Sequence, residues 1–383
     1  MSDDIFMQST SEPISAYVHI PFCHHHCGYC NFTLIAGRNE LIDAYLDALI
    51  KDLHSLRSPR KVQTIFIGGG TPSLLDEQQM IRLVEALGQW FDVGEVREFS
   101  IEVNPNDVTR EKANLWRSLG ITRVSVGGQS FDAPKLKVLE REHSPEQLRE
   151  SLWLLKECLP KVSLDLIFGA PNETLDVWQA DLDDALRLNL SHISTYGLTF
   201  EKGSRFWGMR HKGMLESVDE EVELLMYQTA RRRLMERGYE HYEVSNFAAS
   251  GEQCLHNETY WNGMHYWAFG AGAAYYVESR RGVKHRSTTT YIKKLLRDES
   301  PVAEEETLSQ EQVIRERFVF GMRKLCGVPL ESLELERYPD LQDALLTQVD
   351  RHIAEGWMQH KEGRVALTEK GLWVSDSLWG CYL

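Results

Sequence analysis

The feature that most limits the fold is a repeated alternation of short apolar runs with longer amphipathic stretches. Six runs have the length and the endings of strands: YVHI (17–20), TIFIGG (64–69), FSIEVN (99–104), RVSVGG (123–128), SLDLIFG (163–169) and HISTYGLTF (192–200). Amphipathic stretches at 39–56, 76–91 and 175–188 predict helices between them. This alternation predicts parallel strands joined by crossover helices, and six such units predict an α/β fold, an open, partial (β/α)6 barrel.

The chain after the alternating region predicts a different architecture. A helix at 219–238 closes the alternating region, and a stretch rich in Tyr, Trp, Gly and His with weak periodicity follows it. The last part begins with helices and then contains a candidate hairpin at 356–371, which is typical of winged-helix modules. We therefore expect four parts: an N-terminal tail (1–15), the partial barrel described above (16–240), a connecting segment (241–300) and a C-terminal α+β, winged-helix-like domain (301–383).

Composition favours a cytoplasmic globular protein. The formal net charge is −15, which disfavours binding along a nucleic-acid backbone, and residues 301–383 contain nine Lys/Arg against fifteen Asp/Glu. Residues 1–15 lack the basic start and apolar run of a secretory signal, and no stretch is long and apolar enough for a membrane span. In a reducing compartment, seven cysteines favour metal binding over disulfides.

Small and polar residues gather where the predicted strands end. The second strand runs into GGGTP (68–72), the third carries Glu102, the fourth runs into GGQSF (127–131), and the fifth carries Asp165 before GAP (169–171). Glycine allows the backbone to approach a ligand closely, although each Gly or Pro taken alone is also explained by a tight turn. Because parallel strands end at one edge of the sheet, these residues together predict a ligand site there. They do not identify the ligand.

Three cysteines within eight residues, Cys23, Cys27 and Cys30, raise three alternatives. A zinc site would need a fourth ligand, which one of the histidines at 24–26 could provide. A redox pair of Cys27 and Cys30 leaves Cys23 unexplained. An iron–sulfur cluster held by three thiolates uses all three cysteines and leaves one iron open for a substrate or cofactor. The spacing alone leaves the three alternatives open.

The combined motifs resemble a known superfamily. Cys-x3-Cys-x2-Cys just after a first strand, with GGGTP after the second, is similar to the radical S-adenosylmethionine enzymes. The stretch YVHIPFC (17–23) and the aromatic Phe32 narrow the resemblance to the oxygen-independent coproporphyrinogen III oxidase family, and within it to the HemW-type heme chaperones. The resemblance covers nearly the whole chain.

This resemblance implies cofactors and the residues that hold them. It assigns a [4Fe–4S] cluster to Cys23, Cys27 and Cys30, with S-adenosyl-L-methionine chelated by the open iron and cleaved to methionine and a 5′-deoxyadenosyl radical when an electron arrives. The implied S-adenosylmethionine contacts are Tyr17, Tyr29, Gly69, Gly70, Thr71, Glu102, Gln129, Arg141, Asp165 and Gly197. In the oxidases the last four serve a second S-adenosylmethionine. The alternative for Arg141 is that it is an ordinary arginine on the surface of a helix and contacts no ligand.

Two features separate the oxidase branch from the chaperone branch. The oxidases have a fourth cysteine where this chain has Phe32, and the stretch CLHNETYWNG (254–263) matches the HNxxYW motif of the chaperones. The resemblance makes His256 the candidate axial ligand of heme, with Tyr260 and Trp261 packing on the porphyrin; a hydrogen-bonded histidine at a domain seam is the alternative. Weaker ligand candidates are Cys254, His265 and His285. Gly128 stands where the relatives usually have valine, and Lys202 where they often have proline.

The hypothesis is a heme chaperone that delivers heme to apo-hemoproteins, among them respiratory ones, without binding nucleic acid and with membrane contact only through its acceptors. A low-potential electron donor such as a flavodoxin or ferredoxin is expected. The runner-up is oxidative decarboxylation of coproporphyrinogen III to protoporphyrinogen IX. A zinc protein with a nucleic-acid-binding tail is a third reading, which the acidic tail and the glycine-rich strand ends disfavour.

Overall fold

A computed structural model describes residues 12–383, so residues 1–11 of the predicted N-terminal tail lie outside the described part. The strands are β1 Ser15–Ile20, β2 Phe22–Cys23, β3 Ile35–Ala36, β4 Thr64–Gly69, β5 Glu98–Val103, β6 Arg123–Gln129, β7 Lys161–Phe168, β8 His192–Gly197, β9 Glu240–Glu243, β10 Asn246–Ala248, β11 Tyr266–Phe269, β12 Ala274–Val277, β13 Arg280–Lys284, β14 Val302–Thr307, β15 Met358–Lys361 and β16 Arg364–Leu367. The α-helices are α1 Ile42–Leu53, α2 Glu77–Gly88, α3 Arg110–Ser118, α4 Ala133–Val138, α5 Pro145–Cys158, α6 Leu175–Leu188, α7 Arg205–His211, α8 Glu220–Glu236, α9 Leu255–Trp261, α10 Thr288–Leu296, α11 Gln310–Gly321, α12 Pro339–Ala354, α13 Glu369–Trp373 and α14 Ser375–Trp379.

The six predicted strands form the centre of one open sheet. Strands β1, β4, β5, β6, β7 and β8 lie side by side in this order, and every neighbouring pair is parallel. The α/β fold with parallel strands and crossover helices is therefore confirmed. Since the strands are parallel, their carboxyl ends share one edge of the sheet, where the glycine-rich sequences lie.

Six further strands extend the sheet on both sides. On one side β11 pairs parallel to β1, and β12, β13 and β14 follow in antiparallel pairs. On the other side β10 and β9 follow β8, also antiparallel. The weak periodicity of residues 241–300 conceals β10–β13, because these strands are short and mix aromatic, charged and glycine residues.

Alternation along the strands gives the sheet an apolar face and a polar face. Ala16, Val18 and Ile20 of β1 are fully buried in a core that also contains residues of α1, α2, α5 and α6. The intervening residues of the parallel strands are largely polar and hydrogen-bond with one another on the concave face, which we call the lumen. The predicted helix 175–188 coincides with α6, which Thr174 caps at its N-terminus.

The C-terminal part builds a separate apolar core. Phe318 of α11, Leu345 of α12, Val365 of β16 and Tyr382 are its buried members. The hairpin predicted at 356–371 is observed as β15 and β16. None of the helices within residues 12–383 has the length and apolar character needed to cross a membrane.

Candidate functional site

Three cysteine thiols line one cavity at the carboxyl ends of the parallel strands. Cys23 ends β2, which pairs with β3, and the N–H of Gly37 donates to the carbonyl of Cys23 (3.1 Å). The N–H of Cys30 donates to the carbonyl of Cys27 (3.1 Å), which forms a tight turn. This β2–β3 pairing and the turn direct all three thiols of the segment 23–36, called here the cysteine loop, into the same space.

The cavity has a volume of about 1160 Å³ and gathers most of the residues that the resemblance assigns to S-adenosylmethionine. Its walls include Tyr29, Gly69, Gly70, Thr71, Glu102, Gln129, Arg141, Asp165 and Gly197. Tyr17 is the exception, because it lies mid-way along β1, and its hydroxyl is 3.0 Å from Nδ1 of His19. The proposed contacts of Tyr17 would therefore have to be indirect.

The chemistry of the thiols suits a cluster with several positive metal ions. All seven cysteines are free, and burial raises the pKa of Cys23 to about 12. Oγ1 of Thr71 lies 3.2 Å from Sγ of Cys23, and Nη1 of Arg141 lies 3.8 Å from Sγ of Cys27. Thiolates that lie close together repel one another, so metal binding at Cys23, Cys27 and Cys30 would require a positive charge such as iron would supply.

The zinc alternative would take its fourth ligand from the histidines of the cysteine loop. Their Nε2 atoms contact other groups: Asp107 (3.1 Å) for His24, Glu140 (3.7 Å) for His25 and the carbonyl of Cys30 (3.1 Å) for His26. Within residues 12–383, no group of three or more His, Cys, Asp or Glu side chains is arranged to share a single metal ion. The thiols of a cubane cluster need wider spacing than those of a single ion, because each binds a different iron.

Two carboxyl groups give the cavity an affinity for N–H groups and cations. Gly69 N–H donates to Oε2 of Glu102 (2.8 Å), and Oγ of Ser125 donates to Oδ2 of Asp165 (3.1 Å). Burial raises the pKa of both carboxyls, that of Glu102 to about 7, where the charge of Asp165 adds to the effect. A ligand that offers N–H groups would stabilise the ionised forms. Position 69 requires glycine, because φ is 117° and an added Cβ would lie 2.5 Å from the ring of His19.

Arg141 lies in the loop between α4 and α5, rather than on a helix surface. Its Nη2 donates to the carbonyl of Gly127 (2.7 Å), where β6 has an irregularity in register and Gln129 has a φ of 64°. The Nε of Arg141 is buried and has no hydrogen-bond partner within residues 12–383. A buried N–H of a guanidinium that lacks an acceptor is a site for an anionic group such as a carboxylate.

The HNxxYW segment forms α9 at the other end of the sheet, against the first residues of the parallel strands. The N–H groups of Leu255 and His256 donate to Glu98 (3.2 and 3.1 Å), and Arg123 Nε donates to the same carboxylate (3.0 Å). Burial by itself would raise the pKa of Glu98, but Arg123 and the N–H groups of α9 hold it below its ordinary value. This buried pair therefore fixes α9 at the amino ends of the strands.

The candidate heme residues lie in this region at the amino ends of the strands, where His256 is held by hydrogen bonds. His256 is 1% exposed, its Nδ1 is 2.8 Å from Oγ1 of Thr64, and its Nε2 is 2.9 Å from the hydroxyl of Tyr260. Burial lowers the pKa of His256 to about 4. The guanidinium of Arg323 lies 4.5 Å from the ring centre of Trp261. The structure thus places His256, Tyr260 and Trp261 together, and none of the three lines the cysteine cavity.

The weaker heme-ligand candidates lie near the same end or in the added strands. Sγ of Cys254 donates to Glu98 (3.4 Å) and is buried. His265 packs against Tyr276 with ring centres 4.6 Å apart, and the backbone of His285 pairs with the loop before β14. His265 and His285 are half-buried.

Known proteins match this chain along nearly all of its length. Residues 17–185 match the Radical SAM superfamily, and residues 308–374 match the HemN C-terminal domain. The chain is 33% identical to heme chaperone HemW of Lactococcus lactis subsp. lactis over 97% of this chain and 98% of that protein. It is also 33% identical to heme chaperone HemW of Bacillus subtilis, over 96% and 99%. The chain belongs to the HemW family.

The fold of this HemW-family chain is also that of a solved radical enzyme. Coproporphyrinogen III oxidase (HemN) from Escherichia coli, described as a radical SAM enzyme, superimposes with a TM-score of 0.85. The match covers 99% of this chain and 92% of the oxidase at 22% sequence identity. Identity at this level shows a shared fold and leaves the activity to be argued from the site.

Several cavity residues of this HemW-family chain are missed by sequence reasoning. Glu223 and Tyr227 of α8, Arg323 after α11, and Trp373 and Ser375 of the last two helices line the cavity together with the cysteines. Their local sequences contain no glycine-rich turn or metal-ligand spacing that would mark them. They reach the cavity through tertiary packing, because α8, α13 and α14 lie beside the lumen.

Proposed function

We propose that this chain is a heme chaperone that binds a [4Fe–4S] cluster, S-adenosylmethionine and heme, and delivers heme to apo-hemoproteins. The observation that carries the proposal is its identity of 32–33%, over almost the whole chain, to proteins named heme chaperone HemW. The thiol-lined cavity supports the cofactor part. We propose a cytoplasmic location, which seven free cysteines favour.

Cys23, Cys27 and Cys30 would hold the cluster, and the groups around them would hold S-adenosylmethionine. When bound, the cluster supplies electrons and an open iron position for the amino acid part of that cofactor. The carboxylate of Glu102 accepts N–H groups, and Nε of Arg141 offers a donor to a carboxylate. The glycines at 69 and 70 let a ligand approach the backbone.

We still propose His256 as the axial ligand of heme. In this structure, however, its ring is not free to bind iron. Both ring nitrogens are hydrogen-bonded and the side chain is buried, so iron would have to replace Thr64 or Tyr260 as the partner of a ring nitrogen. Heme binding through His256 would therefore require α9 to move away from the amino ends of the strands. A low pKa keeps the imidazole neutral, which is the form that binds metal.

An anaerobic heme titration followed in the Soret band tests this proposal. We expect near-stoichiometric saturation with the wild-type protein and at least about tenfold weaker binding with His256→Ala, because an iron–imidazole bond is lost. Tyr260→Phe is the matched control: it removes one hydrogen bond of His256 and leaves the imidazole available. Unsaturable heme association with the wild type would contradict the chaperone proposal. Unchanged affinity of His256→Ala would move the ligand elsewhere, with Cys254 tested next.

The cofactor part has its own test. Anaerobically reconstituted protein should contain iron and labile sulfide in a ratio near one, and Cys27→Ala should lose both. Zinc without labile sulfide would contradict the cluster.

The runner-up function keeps one supporting observation, since the cavity beside the cysteines has room for more than S-adenosylmethionine. Conversion of coproporphyrinogen III to protoporphyrinogen IX by the reconstituted protein would favour that function.

A further inference from the structure

Positive charge is scarce on the walls of the cysteine cavity. Within residues 12–383, Arg141 and Arg323 are the only lysine or arginine side chains that line it. Carboxyl side chains outnumber them, and they include Glu102, Asp165, Glu220, Glu223 and Asp376. Such walls repel a guest that carries carboxylates, so these groups are most stable beside one of the two arginines.

Arg141 is already engaged at the cysteine end of the cavity. Its Nη1 lies 3.8 Å from Sγ of Cys27, and its Nη2 donates to the carbonyl of Gly127 (2.7 Å). The proposed function assigns its Nε to the carboxylate of S-adenosylmethionine. Arg323 is therefore the cation that remains for a second anionic guest.

Arg323, which follows α11, has donor capacity that the protein does not use. Its side chain is 25% exposed, and its Nη2 lies 3.4 Å from Oε2 of Glu243. This distance is longer than the roughly 2.7–2.9 Å of a strong charge-assisted hydrogen bond. The buried Nε of Arg323 has no hydrogen-bond partner within residues 12–383. Glu243 therefore leaves the guanidinium able to pair with a further carboxylate.

A second unused donor lies on the same wall. Thr195 of β8 is buried and lines the cavity, and its Oγ1 has no hydrogen-bond partner in the described part of the chain. Thr195 N–H donates to the carbonyl of Ser245 (2.8 Å), and Val244 N–H donates to the carbonyl of Arg323 (3.1 Å). These bonds place the hydroxyl and the guanidinium on neighbouring segments, and both groups can donate to a carboxylate.

Apolar side chains are exposed on the helices beside this wall. Leu224 of α8 is 38% exposed, Val374 between α13 and α14 is 39% exposed, and both line the cavity. The hydroxyl of Tyr227, one turn after Leu224, donates to the carbonyl of Val244 (2.7 Å). An apolar wall next to an arginine suits a flat apolar molecule that carries carboxylates, such as a porphyrin with propionate groups. A small anion needs no apolar contacts.

Arg323 also connects the cavity with α9. Its guanidinium lies 4.5 Å from the ring centre of Trp261, the last residue of α9. The next residue, Lys324, donates through Nζ to the side chain of Asn262, directly after that helix. A porphyrin held at Arg323 therefore lies next to the helix that carries His256.

We propose that Arg323, together with Thr195, binds a propionate carboxylate of heme on the wall of the cysteine cavity. The inference rests on the proposed function, because heme is the guest which that function supplies. Glu243 keeps the N–H of Ser245 (2.8 Å) as a partner when the guanidinium turns to the propionate. The subsite holds the carboxylate edge of heme and leaves the iron to a separate ligand, so the two contacts can be tested separately.

The test compares heme with heme dimethyl ester, whose two propionates are uncharged, by anaerobic Soret titration of the reconstituted protein. The wild type should bind heme at least about tenfold more tightly than the ester, as expected for a charge-assisted hydrogen bond. Arg323→Gln should weaken heme binding to the level of the ester and leave ester binding unchanged. The matched control is Arg351→Gln, which removes an arginine that pairs with Glu355 (3.1 Å) on α12, outside the cavity walls. It should keep the wild-type preference for heme.

Equal affinity of the wild type for heme and its ester would overturn the inference, and so would an undiminished preference for heme in Arg323→Gln. Because Arg323→Gln leaves the buried carboxylate of Glu243 without its cation, Glu243→Gln/Arg323→Gln serves as a second variant. It contains no unpaired charge at this position and should show the same loss of preference. Failure of the proposed function gives a different result, because neither ligand would then saturate the wild type.

Discussion

At the scale of single residues, the ionisation of Glu102 should control ligand binding in the cavity. Its pKa is raised to about 7 by burial and by the charge of Asp165, so the carboxyl is largely protonated below pH 7 and ionised above it. Only the ionised form accepts N–H groups with both oxygens. We therefore expect affinity for S-adenosylmethionine, measured by anaerobic calorimetry, to rise from pH 6 to pH 8.

Glu102→Gln isolates the contribution of this carboxyl. The variant should bind S-adenosylmethionine roughly tenfold or more weakly at pH 8, the usual effect of losing a charge-assisted hydrogen bond. It should also show a shallower pH profile than the wild type. In the variant only the amino group of the ligand titrates, whereas in the wild type the carboxyl of Glu102 titrates as well. An unchanged profile would place Glu102 outside the binding site.

Gly128, where the resemblance leads us to expect valine, packs tightly against its neighbours. A Cβ added here would lie 2.6 Å from Leu164 and 2.9 Å from Leu148, both fully buried. We expect Gly128→Val to lower the free energy of unfolding by about 1–3 kcal/mol, the cost of overpacking a filled core. Urea denaturation measures the loss, and Gly128→Val/Leu164→Ala should recover part of it. Full stability of the single variant would show that the two leucines repack freely.

At the scale of elements, α9 depends on one buried ion pair. Arg123 neutralises Glu98 and also donates to the carbonyls of Glu252 (2.8 Å) and Gln253 (3.2 Å), just before the helix. Arg123→Met should lower the free energy of unfolding by about 3–5 kcal/mol, because it leaves a buried carboxylate without its partner. Denaturant unfolding tests this.

A surface arginine and a double variant control for the loss of charge itself. Arg187, whose side chain is 72% exposed, should tolerate Arg187→Met with a change within about 0.5 kcal/mol. Glu98→Gln combined with Arg123→Met should be more stable than Arg123→Met alone, since no buried charge remains unpaired. If Arg123→Met and Arg187→Met unfold alike, the pair has no special part in holding α9.

At the scale of the whole molecule, sequence predicts the centre of the sheet and not its margins. The parallel strands are identifiable because long helices separate them, and α6 begins and ends at the predicted residues. In contrast, β14 (VAEEET) has no apolar face, and β9 (EHYE) is four residues long. Such strands form because a neighbouring strand offers free N–H and C=O groups, which a local pattern does not reveal.

The candidate site is likewise predictable from the sequence only in part. Residues at the carboxyl ends of strands are predictable as a group, because parallel strands bring those ends together, and nine of the ten proposed S-adenosylmethionine contacts line one cavity. Tyr17 misses the cavity because it lies in the middle of its strand rather than at the end. The position of His256 depends on Glu98 and Thr64, which are distant in sequence. No spacing rule connects them.

The position of α9 determines which part of the lumen is left for ligands. This helix lies against the amino ends of the parallel strands, whereas the cavity at their carboxyl ends is lined by Glu102 and by Ser375 of α14. A small molecule bound against Glu102 would therefore take up part of the space that is open to a larger guest near Ser375.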